Sequence, residues 1–255
     1  MKIKYILVIV ILLLSINKIR SQNLKGIVTY STFKIENNDQ KKKKRSNNFV
    51  LFDSKIKEEV KKLKLSLVFS EDKSSFSCIE PMHINEAEKR IHFIARILQK
   101  VYPKFYTDKI HSIEEKDLGG EVFLVKRNIN IDGWKLINKK KKIGNYICYQ
   151  ATRDYSFTDR NNMAKINKQT VWYTLEIPLP YGPKNFVGFP GLVLRAQEGN
   201  LVYEARKIIL NPKEEIIINK PAKGEEISEE KYDEILEKAA ITINNKIKNS
   251  SLKKY

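Results

Sequence analysis

Apolar residues in this chain recur mainly at period two, the spacing of strands with one buried face. Gly26–Lys34 (GIVTYSTFK) reads as a first strand. Leu63, Leu65, Leu67 and Phe69 alternate cleanly, residues 71–75 form a polar turn, and residues 76–79 continue beyond it, which predicts a hairpin. Residues 49–52 read as a short strand, and residues 57–62 carry no assignment. The period then changes. Ile84, Ala87, Ile91, Ile94, Leu98 and Val101 recur at three- and four-residue steps, so one helix is predicted there, ended by Pro103. Extended runs return at 104–113, 120–126, 134–137 and 143–153, with turns at Gly119-Gly120 and Asp132-Gly133. Residues 171–177 alternate again and stop at Pro178 and Pro180, which cannot donate ladder hydrogen bonds. Residues 192–194 and 201–210 predict a second hairpin across Glu198-Gly199-Asn200. Asn211-Pro212 breaks the pairing, and residues 216–218 read as a last strand. Ser228 is an N-cap, Ile227 and Tyr232 are spaced as a hydrophobic staple, and Ile235, Leu236, Ala239 and Ile243 extend one helical face. The predicted fold is a β-rich α+β domain. In it, a curved antiparallel β-sheet is covered by one central helix, with a short C-terminal helix.

The stretch at 170–197 is the densest in unusual backbone chemistry. Tyr181-Gly182-Pro183 is a turn signal, with Gly182 free to take positive φ. Pro190-Gly191 fits the centre of a type II turn. The run Gly188-Phe189-Pro190-Gly191-Leu192-Val193 closely resembles the signature of the GLPGLI family, with Phe189 for the usual Leu and Val193 for the usual Ile. Trp172-Tyr173-Thr174, Ile177-Pro178, Gly182-Pro183 and Phe186 stand where that family carries W-Y-T, I-P and G-P-x-x-F. Residues 143–152 resemble its I-x-G-Y-x-C-x-K-A-T segment, with the glycine one place early and Gln150 for the basic residue. The resemblance covers residues 143–210 most closely. It implies an exported protein of a family found mainly in one phylum of Gram-negative bacteria, and it brings no established activity. Two readings of the stretch stay open: a rigid double turn between core strands, or a binding lip whose wall is Trp172, Tyr181, Phe186 and Phe189.

Charge and address change the picture little. The formal charge is +18, from 48 Lys+Arg against 30 Asp+Glu. The cations are mostly Lys spread along the chain, which argues against nucleic acid and leaves contact with anionic lipid or polysaccharide open. The block at 41–45 reads as a solvated loop. Residues 1–21 read as a secretory signal: Lys2 and Lys4, then nine apolar residues at 6–14, then a small residue, Ser21, at the cleavage point. Cleavage there removes four positive charges, and no cysteine lies close enough for a lipid anchor. Residues 22–255 are then one domain with a basic tail at 249–255, exported to the periplasm or secreted, and no later segment is apolar enough to span a membrane.

The search for reaction chemistry returns little. G-x-S-x-G, H-E-x-x-H, phosphate-loop and dinucleotide-loop motifs are missing from the sequence. His83, His92 and His111 lack metal-ligand spacing. Asn128, Asn130, Asp132 and Gly133 imitate the start of a calcium loop, but its twelfth position is Lys139, so a turn is expected. Glu114 and Glu115 are neighbours and would face opposite ways on a strand. Cys78 and Cys148 either form a bridge, which an oxidising compartment permits, or are two buried thiols. Neither a catalytic residue, a metal nor a cofactor is assigned. The expected function is non-enzymatic binding of a hydrophobic ligand or an envelope partner. A structural or adaptor role, in which the Gly/Pro signature only fixes the fold, is the first alternative; an enzyme of unrecognised class is the second.

Overall fold

The computed structural model describes residues 24–35, 47–82, 85–101, 103–158 and 163–252. Residues 1–21, expected to be a secretory signal, the basic block at 41–45, His83, Ile84, Asn161-Asn162 and residues 253–255 lie outside these.

Among the described residues, twelve strands form one open sheet. They are β1 (Gly26–Lys34), β2 (Leu65–Phe69), β3 (Ser74–Cys78), β4 (Phe105–Thr107), β5 (His111–Leu118), β6 (Glu121–Asn128), β7 (Lys135–Ile143), β8 (Tyr146–Thr158), β9 (Ala164–Thr174), β10 (Leu192–Glu198), β11 (Leu201–Leu210) and β12 (Glu225–Ser228). Three helices accompany them: α1 (Asn47–Lys62), α2 (Glu86–Leu98) and α3 (Glu229–Leu252). The strand order is β12-β6-β5-β4-β3-β2-β1-β11-β10-β9-β8-β7. Both predicted hairpins are present: β2 pairs β3, and β10 pairs β11 across the Gly199 turn, where φ is +62°.

This order requires the sheet to curl. Consecutive strands β6 and β7 lie near opposite ends of it. Laid flat at about 4.8 Å per strand, they would be roughly 48 Å apart. Residues 129–134, which join them, reach only about 25 Å when extended. The curl turns the inward residues of β1, β2, β3, β9, β10 and β11 onto one hydrophobic core containing Tyr30, Leu65, Phe69, Val171, Leu192 and Tyr203.

The sheet is not wholly antiparallel. At one end β12 runs parallel to β6, from Glu225↔Phe123 to Ser228↔Lys126. It replaces the strand expected at 216–218, which forms no ladder. Residues 104–113 divide into β4 and β5 at a tight turn, where Asp108 Oδ1 accepts from the Ile110 and His111 amides. Ile143 to Tyr146 is the β7–β8 turn, with Gly144 at φ +58°, and not the interior of a strand. β9 ends at Thr174, before the prolines.

The helical part differs most from expectation. The segment expected to hold a short strand is the 16-residue helix α1. Ile56, Val60 and Leu63 sit four and three residues apart along it and just past its end, with Ile56 and Leu63 buried. The helix α2 forms within the predicted span, opened by a capping box in which Asn85 and Glu88 satisfy each other's amides. Its inward residues are His92 and Ala95, one position removed from the predicted Ile91–Ile94–Leu98 stripe, and Leu98 is 46% exposed. The helix lies along α1 instead of spreading over the sheet. The pair that accompanies this rotation is the buried His92, through Nδ1, against the partly buried Glu59 Oε1 at 2.7 Å. Beyond the helix end, Gln99 reaches the sheet through Thr32 Oγ1 at 3.0 Å and Tyr203 Oη at 3.0 Å. The third helix, α3, is long, at 24 residues. Ser228 caps it by accepting the Lys231 amide, and Ile227 and Tyr232 pack with Phe123 and Val125. Among the described residues, no helix is long and apolar enough to cross a membrane.

Candidate functional site

The Gly/Pro stretch between β9 and β10 folds inside the curl. Its backbone bonds to itself: Leu192 N donates to Ile177 O at 2.9 Å, Gly188 N to Pro180 O at 2.8 Å, and Val193 N to Tyr181 O at 2.9 Å. Tyr30 Oη donates to Val193 O at 2.6 Å and anchors the exit to β1.

Two of its glycines are required for space, not for φ. Neither Gly182 nor Gly191 has positive φ, so the expected type II geometry at Pro190-Gly191 is not adopted. A Cβ on Gly191 would lie 1.9 Å from Thr174 O, and one on Gly182 would lie 2.3 Å from Phe186 O. Gly188 is the position that needs left-handed backbone, at φ +89°, where it packs against Ile129 and Ile131 of the β6–β7 connection.

The aromatic residues do not form a lip. Tyr181 and Phe189 are 1% exposed, and Trp172 and Phe186 are also buried. Phe189 stacks on Tyr173 at 5.7 Å and meets Trp134 edge-on at 5.0 Å; Phe186 meets Trp134 at 6.2 Å. Trp172 is capped by Lys141 Nζ, 4.4 Å from its ring centre. Thr174, Gly182, Pro183, Gly191 and Leu192 are buried, whereas Pro178 and Pro190 are exposed at the bends. Of the two readings, the structure makes this stretch a brace. The bridge between Cys78 and Cys148 is also not made: both are free, buried thiols. They belong to strands six places apart in the sheet, and burial pushes each thiol up to about 11.

The brace enters the cleft at one point. Lys184 takes φ +56° and, with Asn185, turns toward the mouth of the curl. A cavity of about 880 Å³ opens there, lined by β5, β6, β12, the start of α3, the inner stretches of β8 and β9 at Arg153 and Gln169, and the end of β10 at Glu198. Its principal side chains are Glu114, Arg127, Arg153, Lys184, Glu198 and Glu229. Glu114 and Arg127 are diagonal neighbours on the β5–β6 ladder and pair at 2.8 Å. Arg127 Nε also reaches Glu229 at 2.7 Å, tying the first turn of α3 to the sheet. Asn185 connects the loop to β5, accepting from Ser112 Oγ at 3.2 Å and donating to Glu114 at 3.4 Å. Lys184 pairs with Glu198 at 3.3 Å, as does Lys100 at 3.1 Å.

These pairs set the ionisation of the cleft. Burial raises the Glu198 carboxyl, but Lys184 and Lys100 outweigh it and hold the group below the usual carboxylate range. Burial likewise works against the Arg127 charge, and Glu114 and Glu229 more than restore it. Arg153 differs. Its Nε donates to Gln169 at 2.6 Å and its guanidinium lies 4.9 Å over Trp134, yet it has no carboxylate partner among the described residues. Burial therefore lowers its affinity for the proton.

Of these cleft residues only Glu114 stands out in the sequence, as half of an adjacent carboxylate pair; the others read as a solvated face, because charged residues on strands carry no apolar signal. His92 and His111 lie apart, and no group of three or more His, Cys, Asp or Glu able to hold a metal occurs among the described residues. The turn expected at 128–133 is present, with Asn130 Oδ1 accepting the Asp132 amide and Gly133 at φ +76°.

The architecture is thus a curled, mainly antiparallel sheet, braced from inside by a Gly/Pro loop, with a charged cleft at its mouth. Residues 154–195 match the model of a family described as Protein of unknown function (Porph_ging). That segment contains Gln169, Lys184 and Asn185 of the cleft and all of the brace. No curated protein matches the chain. Among solved structures, PNGF-II is similar in two crystal forms. The C2 form has a TM-score of 0.48 at 14% identity and the second form 0.47 at 15%, each covering 83% of this chain. The chain spans 32% of the length of PNGF-II. An uncharacterized conserved protein from Thermus thermophilus has a TM-score of 0.28 at 5% identity, covering 71% of this chain and 99% of its own.

Proposed function

We infer that this chain is an exported cell-envelope protein of the GLPGLI type that binds a polar ligand or partner segment in the charged cleft, without catalysis. The address follows from the leader-like residues 1–21, and the periplasm or the exterior is the destination. The observation that carries the binding reading is the cleft itself, a cavity of about 880 Å³ lined by charged groups from distant strands. That volume suits a small molecule or a short peptide segment. The aromatic wall that would have favoured an apolar ligand is buried, so the polar cleft takes its place. The ion pairs keep Glu114, Glu198 and Glu229 engaged with cations, a state suited to recognition more than to proton transfer. The GLPGLI-like loop serves as the brace that presents Lys184 and Asn185.

Native mass spectrometry of the mature protein purified from its own envelope tests this reading. A bound polar species or partner, retained at low salt and lost in Lys184→Glu, is expected. A bound lipid, or a partner whose retention ignores every cleft substitution, would overturn it.

A further inference from the structure

The cations of the cleft are not equivalent. Arg127 faces Glu114 and Glu229, and Lys184 faces Glu198. Lys116 lies 3.6 Å from Glu114, and Lys126 lies 3.4 Å from Glu226. Only Arg153, among the described cations lining this cavity, lacks a carboxylate. It is nevertheless held firmly. One edge of its guanidinium is fixed by Gln169 on the paired strand β9, where Arg153 and Gln169 are direct partners, and one face rests over Trp134. Trp134 is held in turn by Phe186 and Phe189 of the brace. A preorganised guanidinium with one nitrogen engaged still has two terminal nitrogens to donate, and their fork matches a carboxylate. Without a directly paired carboxylate, that charge in a partly buried site is only partly offset, and a bound anion relieves it.

We propose that Arg153 is the anchor of this cleft for a small polar molecule bearing a carboxylate, received on the free side of its guanidinium between Gln169 and the Lys184–Glu198 pair. The assignment rests on the cleft being the binding site. A single negative charge is specified because the carboxylates Glu198 and Glu229 line the same cavity as Arg153. They would repel a dianion such as sulfate or phosphate more strongly than a monoanion. The cavity has room for the rest of a sugar- or amino-acid-sized molecule.

The test is calorimetric titration of the purified protein with two carboxylates, galacturonate and N-acetylglycine, each beside its neutral counterpart, galactose and N-acetylglycinamide, and with sulfate. Saturable binding of at least one acid, absent for its neutral counterpart, is expected. It should weaken about tenfold or more in Arg153→Gln and by less in Arg153→Lys, which keeps the charge but loses the fork. Which acid binds separates a uronate source from an amino-acid source. Trp134 fluorescence should change with the same midpoint, which also checks that each variant remains folded. Equal binding of acid and neutral forms, tighter binding of sulfate, no binding of either acid, or affinity unmoved by Arg153→Gln would overturn the proposal. Failure of this assignment is distinct from failure of the cleft. If the species retained from the envelope is lost in Lys184→Glu but not in Arg153→Gln, the cleft stands and the carboxylate anchor falls.

Discussion

Replacing Gly191 by alanine adds one methyl group at the tightest point of the brace. Its Cβ would lie 1.9 Å from Thr174 O and 2.8 Å from Thr174 C, with Ile177 O at 3.2 Å. The first distance is about 1.5 Å short of an ordinary van der Waals contact beginning at 3.4 Å. No rotamer relieves it, because every neighbour is main chain. Thr174 is also the partner of Leu192 and Cys148, so moving its carbonyl disturbs the β9 ladder on both sides. Overpacking of a core typically costs about 1–3 kcal/mol. A clash of this depth against backbone belongs at the top of that range or above, so about 3 kcal/mol or more is expected. Urea unfolding followed by tryptophan fluorescence reads the change as a shift in midpoint. Gly144→Ala is the control: it has φ +58° and nothing within 4 Å of its Cβ, so its penalty is conformational only, about 1–2 kcal/mol. If Gly191→Ala cost no more than Gly144→Ala, the close-approach account of this glycine would be wrong.

Phe189→Ala removes a 1% exposed ring stacked on Tyr173 and edge-on to Trp134, so a loss of about 3–5 kcal/mol is expected; a loss under about 1 kcal/mol would show the ring is not core. Arg127→Ala leaves Glu114 and Glu229 facing each other without their shared cation. It should cost about 1–3 kcal/mol and speed amide exchange across the first turn of α3; unchanged protection there would refute the tie. Glu198 contributes stability that is fully present above the carboxyl value of the unfolded chain, about 4.3, and is lost as pH falls through its depressed folded value. The stability gap between the native sequence and Glu198→Gln should therefore close as acid is added, and a gap constant from neutral to strongly acidic pH would contradict it. Both cysteines should resist a thiol reagent in the folded protein, because each is buried with its thiol raised to about 11, and should react together on unfolding; rapid labelling of either in the native state would refute this.

The parts of the fold legible in the sequence are those where one face is buried and the turn is polar. The β2–β3 and β10–β11 hairpins meet that condition. The edge strand β7 does not: KLINKKKKI is largely exposed on both sides, so alternation carries no apolar signal, and only residues 134–137 read as extended. The short β12 has a single inward apolar residue, Ile227, and pairs in parallel with a strand about a hundred positions earlier. The helix α1 escapes a local reading because Phe49-Val50-Leu51-Phe52 looks like a buried strand by itself, whereas the four- and three-residue steps to Ile56, Val60 and Leu63 emerge only over the longer window. For α2 the period is right and the face is wrong, since the pair of buried His92 with partly buried Glu59 outweighs the apolar stripe in setting its rotation. Glycine in a sequence reads as φ freedom; at 182 and 191 what matters is the missing Cβ, and that requires coordinates. The cleft draws on positions from Glu114 to Glu229, which no local pattern connects.

The brace and the cleft are one device. The aromatic residues of the brace are largely interior, and of them Phe186 alone lines the cavity, so their main contribution to the cleft is support. They act through two routes that leave the interior. One is covalent: the Gly182-Pro183 turn delivers Lys184 and Asn185 to the mouth, where they bond to Glu198, Ser112 and Glu114. The other is through packing: Phe186 and Phe189 hold Trp134, and Trp134 supports Arg153. Both routes end on charged groups whose positions must be kept in an open, charged cavity, and rigid aromatic support is what keeps a long cationic side chain from collapsing onto the nearest carboxylate. The same argument explains why the sheet curls around the brace. Only the curl brings β5 and β6 within reach of β8 to β10, and only a loop packed inside can bridge them, as Asn185 does. Loosening the brace should therefore disturb the cleft before it unfolds the sheet.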